Sequence, residues 1–256
     1  GQALASRSDL VSAEVAKELM RLQDAVPAFD DALARRILES ELGAVADCHA
    51  ARELLASLEG AEPVAAASLG QVYKGRIGDR AVAVKVQRPS VRRLAAADAA
   101  MLKVLARGIA SLRLPDFWGG ERIVRTDVVG AVDEFCSRLF EELDYSREAA
   151  NIERFGALYG EGGVHAARLP PPGVRVPHLE RNFCTRRVLV MEWVDGERLV
   201  ADAPDGSCAV VDDADLPLVK IGIAATLVQM LETGVMHTDP HGGNLLKAPV
   251  QAASVA

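Results

Sequence analysis

The sequence predicts an α+β fold: an all-helical preface, a small antiparallel sheet, then mostly helix. Three observations carry this reading. Residues 1–60 place apolar side chains at helical spacing. Residues 61–87 switch to short β-branched runs punctuated by glycine. Beyond residue 90 the helical period returns, interrupted once by a strand-like apolar run at 186–194.

The elements follow in order. Leu10, Val11, Val15, Leu19 and Leu22 repeat at helical spacing over 9–24, and Pro27 lies just beyond. Helices are expected over 31–42 and 47–58, the latter closed by Gly60. Two strands then flank Gly78 and Asp79, which read as a hairpin turn. Residues 90–112 read as helix, 115–120 as a loop and 127–160 as one long helical stretch. Pro170, Pro171, Pro172 and Gly173 mark a linker. The strand at 186–194 closes on Asp195 and Gly196. Residues 202–214 are an Asp-rich loop, 215–233 an apolar helix expected to be buried, and 234–246 a loop dense in chemistry.

Composition narrows the function. Half of the 256 residues are apolar, a quarter are charged and the formal net charge is -7. That balance suits a packed domain. It argues against nucleic-acid binding, which relies on clustered Lys and Arg. The longest mostly apolar stretch, 221–230, is about ten residues, against about 20 for a membrane span. No membrane-crossing helix is therefore expected. Cys48, Cys136, Cys184 and Cys208 form no CxxC pair, so zinc or thioredoxin-type chemistry has no support and isolated thiols are expected. The chain opens on Gly1 without a leader pattern and closes on a small, featureless tail, as expected of a fragment.

Four constellations could carry chemistry. The loop HTDPHGGN at 237–244 holds Asp239 and, five residues on, Asn244. In phosphoryl transfer, such an Asp handles the proton of the attacking hydroxyl, and the Asn ligates a metal ion on the phosphates. A plain polar turn, or a metal site from His237, Asp239 and His241, are the alternatives. Lys85 alternates out of an apolar strand, as phosphate anchoring requires, or else is a solvated edge lysine. Ala65, Ala66, Ala67 and Ser68 precede that strand; small side chains let a backbone approach phosphates, or simply pack tightly. Glu142, Asp144 and Glu148 lie in one acidic helical run, where Glu148 could pair with Lys85 or face water. Met191, Glu192, Trp193 and Val194 stand where a hinge would hydrogen-bond adenine through its backbone, using Glu192 and Val194. The order of these elements is the linear layout of a protein-kinase-like fold.

These motifs resemble the UbiB/ADCK atypical kinases, a prenylquinone-linked family of bacteria, mitochondria and plastids. The match covers nearly the whole chain: Gly1 and Gln2 as the end of KxGQ, AAAS at 65–68, VKVQRP at 84–89, ELD at 142–144 and HTDPHGGN at 237–244. Thr238 and Gly242 depart from the family's HADPHPGN. The resemblance implies a two-lobed, protein-kinase-like fold with an N-terminal helical extension and an incomplete C-lobe. Residues 1–60 would be the extension, 61–200 an N-lobe with a helical insert, and 201–256 the start of the C-lobe. The cofactors implied are ATP and Mg²⁺. Lys85 would contact phosphates, Glu148 orient Lys85, Asp239 act as catalytic Asp and Asn244 bind the metal. Glu142 and Asp144 would tie the extension to the cleft. The extension would pack on or near that cleft and occlude a peptide groove, which implies chemistry other than ordinary protein phosphorylation. The family's DFG-type Asp is expected after Asn244 and is absent before residue 256, as are the helices that would cover 215–233; poor solubility or a partner is expected in consequence. A prenylquinone or lipid ligand and peripheral membrane association are further implications, in a plastid, mitochondrion or bacterium. A non-catalytic nucleotide-gated scaffold or lipid-binding regulator is the rival reading. An aminoglycoside-type kinase is a second rival, which would leave the Ala-rich loop and Glu142, Leu143 and Asp144 unexplained.

Overall fold

The computed structural model describes residues 27–43, 49–112, 126–170, 173–198, 213–238, 240 and 245–249. The expected helix at 9–24, the KxGQ remnant and the Asp-rich loop at 202–212 lie outside these residues. At the centre is a four-stranded antiparallel sheet in the order β1-β2-β3-β4: β1 Ala65–Ala66, β2 Gly70–Ile77, β3 Arg80–Gln87 and β4 Val188–Glu192. The hairpin forms at the expected turn. Ile77 pairs with Arg80, and Gly78 takes φ +58°, the left-handed value a two-residue turn needs at its first position. The later apolar run joins β3 from the other side, with Lys85 opposite Leu189.

Strand alternation gives the sheet two faces of different character. One face presents Tyr73, Ile77, Val82, Val84, Val86, Val188 and Val190. It is covered by α1 Asp31–Gly43 and α2 His49–Ser57, through Ala34, Ile37, Leu38, Leu42, Ala51 and Leu54. The other face presents Leu189 and Met191, and receives Tyr145 and Ala149 of α5 Tyr145–Tyr159. Lys85 belongs to this second face. The described helices of residues 1–60, α1 and α2, therefore lie on the face opposite Lys85. The physical cause is the apolar set on alternate residues of β3, which needs a cover that the apolar stripe of α1 supplies.

Two expectations are corrected. The stretch 127–160 is two helices, α4 Val128–Glu142 and α5, with a break at Leu143 and Asp144. Asp144 is extended and its carboxylate accepts from the Ser146 N–H, so it starts a new helix by capping it. The apolar helix α6 Leu216–Val228, prolonged by a π-turn over Gln229–Thr233, is not buried: Leu216, Ile223 and Leu227 are 48%, 57% and 45% exposed. Ala225 and Val228 do pack on Tyr159 and Leu169. The 18 residues Leu216–Thr233 are long and apolar enough to cross a membrane, a count the ten-residue stretch understated. Between these parts, α3 Val91–Ser111 packs along α4, and a two-stranded ribbon pairs β5 Glu197–Arg198 with β6 Leu246–Lys247.

Candidate nucleotide site

The site is built on the sheet face that α5 covers. Lys85 reaches from the middle of β3 to Glu148 in the first turn of α5, with Nζ at 2.7 and 2.9 Å from the two carboxylate oxygens. The Lys85 ammonium also stands 4.6 Å from the centre of the Tyr145 ring, a cation–π contact that steadies it. A cavity of about 590 Å³ opens beside the pair, lined by Leu69, Tyr145, Asn151 and the acids Glu141, Glu142 and Asp144, among others. Glu142 makes no hydrogen bond among the described residues.

Tyr145 was not singled out by its sequence position, yet it is the floor of this cavity. It is 1% exposed, and its hydroxyl is buried with no hydrogen-bond partner among the described residues. Burial first, and the Glu148 charge second, push its ionisation above the ordinary phenol value. Gly70 makes room for it: a Cβ there would lie 2.7 Å from the Tyr145 hydroxyl and overlap the Val86 carbonyl. This close approach is a tertiary contact between β2 and α5.

The Ala-rich segment folds as a strand and a tight turn. Ala65 and Ala66 pair with Val72 and Gln71 as β1, and the Ala67 N–H donates to the Gly70 carbonyl at 2.8 Å, so Ala67 and Ser68 lie in the turn. Arg88 holds that turn from behind, donating to the Ala67 carbonyl at 2.9 Å and to the Pro27 carbonyl at 2.6 Å. Gln71 works beside it. Its side chain accepts from the Phe29 N–H at 3.0 Å, and Tyr73 donates to Asp31 at 2.7 Å. Burial and the Asp31 acceptor both raise the Tyr73 ionisation, so its hydroxyl stays a donor. Thus Gln71, Tyr73 and Arg88 tie residues 27–31 to the sheet. Alternation could have found Gln71, since it falls on the inward face with Tyr73 and Ile77.

Asp144 has two described partners apart from the backbone cap. Ser146 donates its hydroxyl, and Arg186 Nε lies 3.1 Å away. Burial pushes the Asp144 carboxyl up, but the Ser146 and Arg186 contacts together outweigh it and hold the group below its ordinary value. Gln87 fastens the same junction, donating to the buried Leu143 carbonyl at 2.8 Å.

At the end of β4, Glu192 accepts from Arg175 and from the His178 N–H, while its own N–H donates to the His178 carbonyl at 2.7 Å. The Trp193 N–H turns inward to the Ala81 carbonyl at 3.0 Å.

Asp239 and Asn244 lie outside the described residues, but the chain on either side of them is anchored. The Val235 carbonyl accepts from Tyr159 at 2.8 Å, and the His237 N–H donates to Gln229 at 2.9 Å, with the His237 ring edge-on to Phe155. Beyond Asn244, Leu246 pairs with Arg198, and Lys247 reaches Asp215 at 2.5 Å. Helix α5 therefore carries Glu148 at one end and holds the entry to the 238–244 loop at the other. Among the described residues, no three His, Cys, Asp or Glu side chains converge to hold a metal, and Cys136 and Cys184 are free thiols.

Comparison with known proteins follows the same outline. Residues 21–254 match the family model of the ABC1 atypical kinase-like domain. The chain is 41% identical over 249 residues to the Synechocystis protein sll0005, covering 96% of this chain and 32% of that one. It is 39% identical over 253 residues to the chloroplastic protein ACTIVITY OF BC1 COMPLEX KINASE 3 of Arabidopsis thaliana, covering 97% and 32%. A chloroplastic aarF domain-containing protein kinase of Arabidopsis, At1g71810, is 38% identical over 248 residues, covering 96% and 31%. The chain spans about a third of the length of these relatives.

Proposed function

The chain belongs to the ABC1 atypical kinase-like family, of the UbiB type that its motifs resemble, and we propose that it binds ATP with Mg²⁺ as an atypical kinase or ATPase. The observation that carries this is the Lys85–Glu148 pair, set over Tyr145 beside a cavity that Leu69, just after the Ala-rich segment, helps to line. The donors fit a phosphate-bearing ligand: an ammonium held in place by one carboxylate, and a buried hydroxyl without a partner among the described residues. Lys85 holds the phosphates and Glu148 orients Lys85. Ala65, Ala66, Ala67 and Ser68 cover them, and the outer edge at Glu192 and Val194 takes the base. Asp239 receives the proton of the accepting hydroxyl, and Asn244 binds the metal. When bound, the metal ion supplies charge neutralisation on the phosphates. The same reading divides the chain into an extension over 1–60, a first lobe over 61–200 and the start of a second lobe over 201–256, to which α6 would belong.

The acceptor class is proposed by resemblance to be a prenylquinone or another isoprenoid lipid, reached by peripheral contact with a membrane. The exposed apolar face of α6 supports a lipid-facing role, and it favours equally the second reading, a nucleotide-gated scaffold without turnover. The chloroplastic and cyanobacterial relatives support a plastid or bacterial setting. Calorimetry with ATP and ADP, with and without Mg²⁺, tests the binding. Lys85→Ala is expected to weaken ATP at least about tenfold, the worth of one charge-assisted hydrogen bond. Unchanged affinity in that variant overturns the site. Asp239→Asn should spare binding and abolish turnover; absence of turnover in the unmutated protein would favour the scaffold.

A further inference from the structure

On the other side of the α4–α5 junction from the Lys85 cavity lies a second cavity, of about 880 Å³. Its wall carries five arginines, Arg88, Arg92, Arg93, Arg186 and Arg187, against one acid, Glu41. Two of these are ion-paired. Arg187 Nε lies 2.7 Å from Glu41, and Arg186 Nε lies 3.1 Å from Asp144. Arg88 is spent on two carbonyls, which leave its charge uncompensated. Arg92 and Arg93 are exposed and have no acidic partner among the described residues.

Their placement runs against the local electrostatics. Both sit in the first turn of the 21-residue helix α3, where no acidic side chain stands. The backbone there already carries partial positive charge, so cations are disfavoured. Ser90, just before the helix, adopts φ +67°, and its hydroxyl makes no cap bond. Arginine also presents a planar fork of donors that matches phosphate oxygens.

We propose that this arginine-lined cavity is an anion site that takes a phosphate group, from either a free phosphorylated small molecule or an anionic lipid headgroup. A bound phosphate would compensate Arg92, Arg93 and the helix start together. The site is separate from the Lys85 cavity and does not depend on the nucleotide reading. The two are joined by one contact. Arg186 belongs to the wall of this cavity, and it holds Asp144, which caps the helix that carries Glu148. An anion that draws Arg186 away shifts that cap, and with it the Lys85–Glu148 pair.

Differential scanning calorimetry of the full chain tests this with inorganic phosphate as the probe, and sedimentation tests it with phosphatidylcholine vesicles that contain or lack phosphatidylglycerol. The variants are Arg92→Ala/Arg93→Ala and Lys85→Ala. Both arginines are exposed, so the double variant should melt within a few degrees of wild type without ligand. Phosphate is expected to raise the melting midpoint of wild type and of Lys85→Ala, and to bind at least about tenfold more weakly to the double-arginine variant. If the source is a lipid, phosphatidylglycerol vesicles sediment wild type and leave the double variant in solution. Equal responses of wild type and the double variant to both probes overturn the proposal. Loss of ATP binding in Lys85→Ala with the phosphate response intact separates this site from the cleft.

Discussion

Strand β4 and helix α6 are both strongly apolar segments, and they have opposite fates. Val188, Leu189 and Val190 are 0% exposed, whereas Ile223 of α6 is more than half exposed. The difference lies in the neighbours. β4 has helices α1 and α2 over one face of its sheet and α5 over the other, so successive side chains are buried alternately against each. Helix α6 has Tyr159 and Leu169 along one stripe, and its remaining surface meets no described element. Apolar content states how much surface a segment would gain by hiding; only packing decides whether it hides.

Breaking the buried side of this contrast should give the largest effect. Leu189→Ala removes a fully buried side chain between β3 and α5, and should cost about 2–5 kcal/mol in urea unfolding. A loss below about 1 kcal/mol would mean that α5 does not pack on the sheet as described. A smaller effect should come from the polar seam that brings β4 to α5. Asp144→Asn keeps the helix cap but removes the charge facing Arg186, at a cost of about 1 kcal/mol or less near neutral pH. The sign follows from the lowered ionisation. The folded value lies below the ordinary 3.8, so this stabilisation is present above about pH 4 and is lost as the pH falls through the folded value. The acid limb of a pH–stability profile should therefore be shallower in the variant than in wild type; superimposable limbs would contradict the pair. The smallest effect belongs to α6. Ile223→Ser should change the unfolding free energy by no more than about 0.5 kcal/mol. A loss of several kcal/mol would show that another surface covers this helix in solution.

Much of the fold was legible because its signals are local. Gly78 and Asp79 between β-branched runs announced the hairpin, and the apolar run before Glu192 announced β4. The break at Asp144 was missed because the apolar spacing of 128–143 runs on past it. Asp144 followed by Ser146 is a capping signal that outweighs that spacing once Gln87 fixes Leu143 in place. The partnership of Lys85 and Glu148, 63 residues apart, was suggested by motif order and is made by the docking of α5. Tyr145, Arg88 and Arg186 gave no comparable signal, since each matters through a contact more than 20 residues distant or through a closely approaching glycine.

The sequence by itself determined the residue types for phosphate chemistry, the hairpin that presents Lys85, and the alternation that gives the sheet two apolar faces. These depend on backbone preferences and on a period of two, which operate over a few residues. The tertiary structure alone decided which face α1 and α2 cover and that the Tyr145 hydroxyl, packed against Gly70, has no partner among the described residues. It also gathered five arginines from two separate stretches of chain, 88–93 and 186–187, around one cavity. Those outcomes depend on which surfaces meet, and surfaces meet only after distant segments have competed to cover the same apolar area.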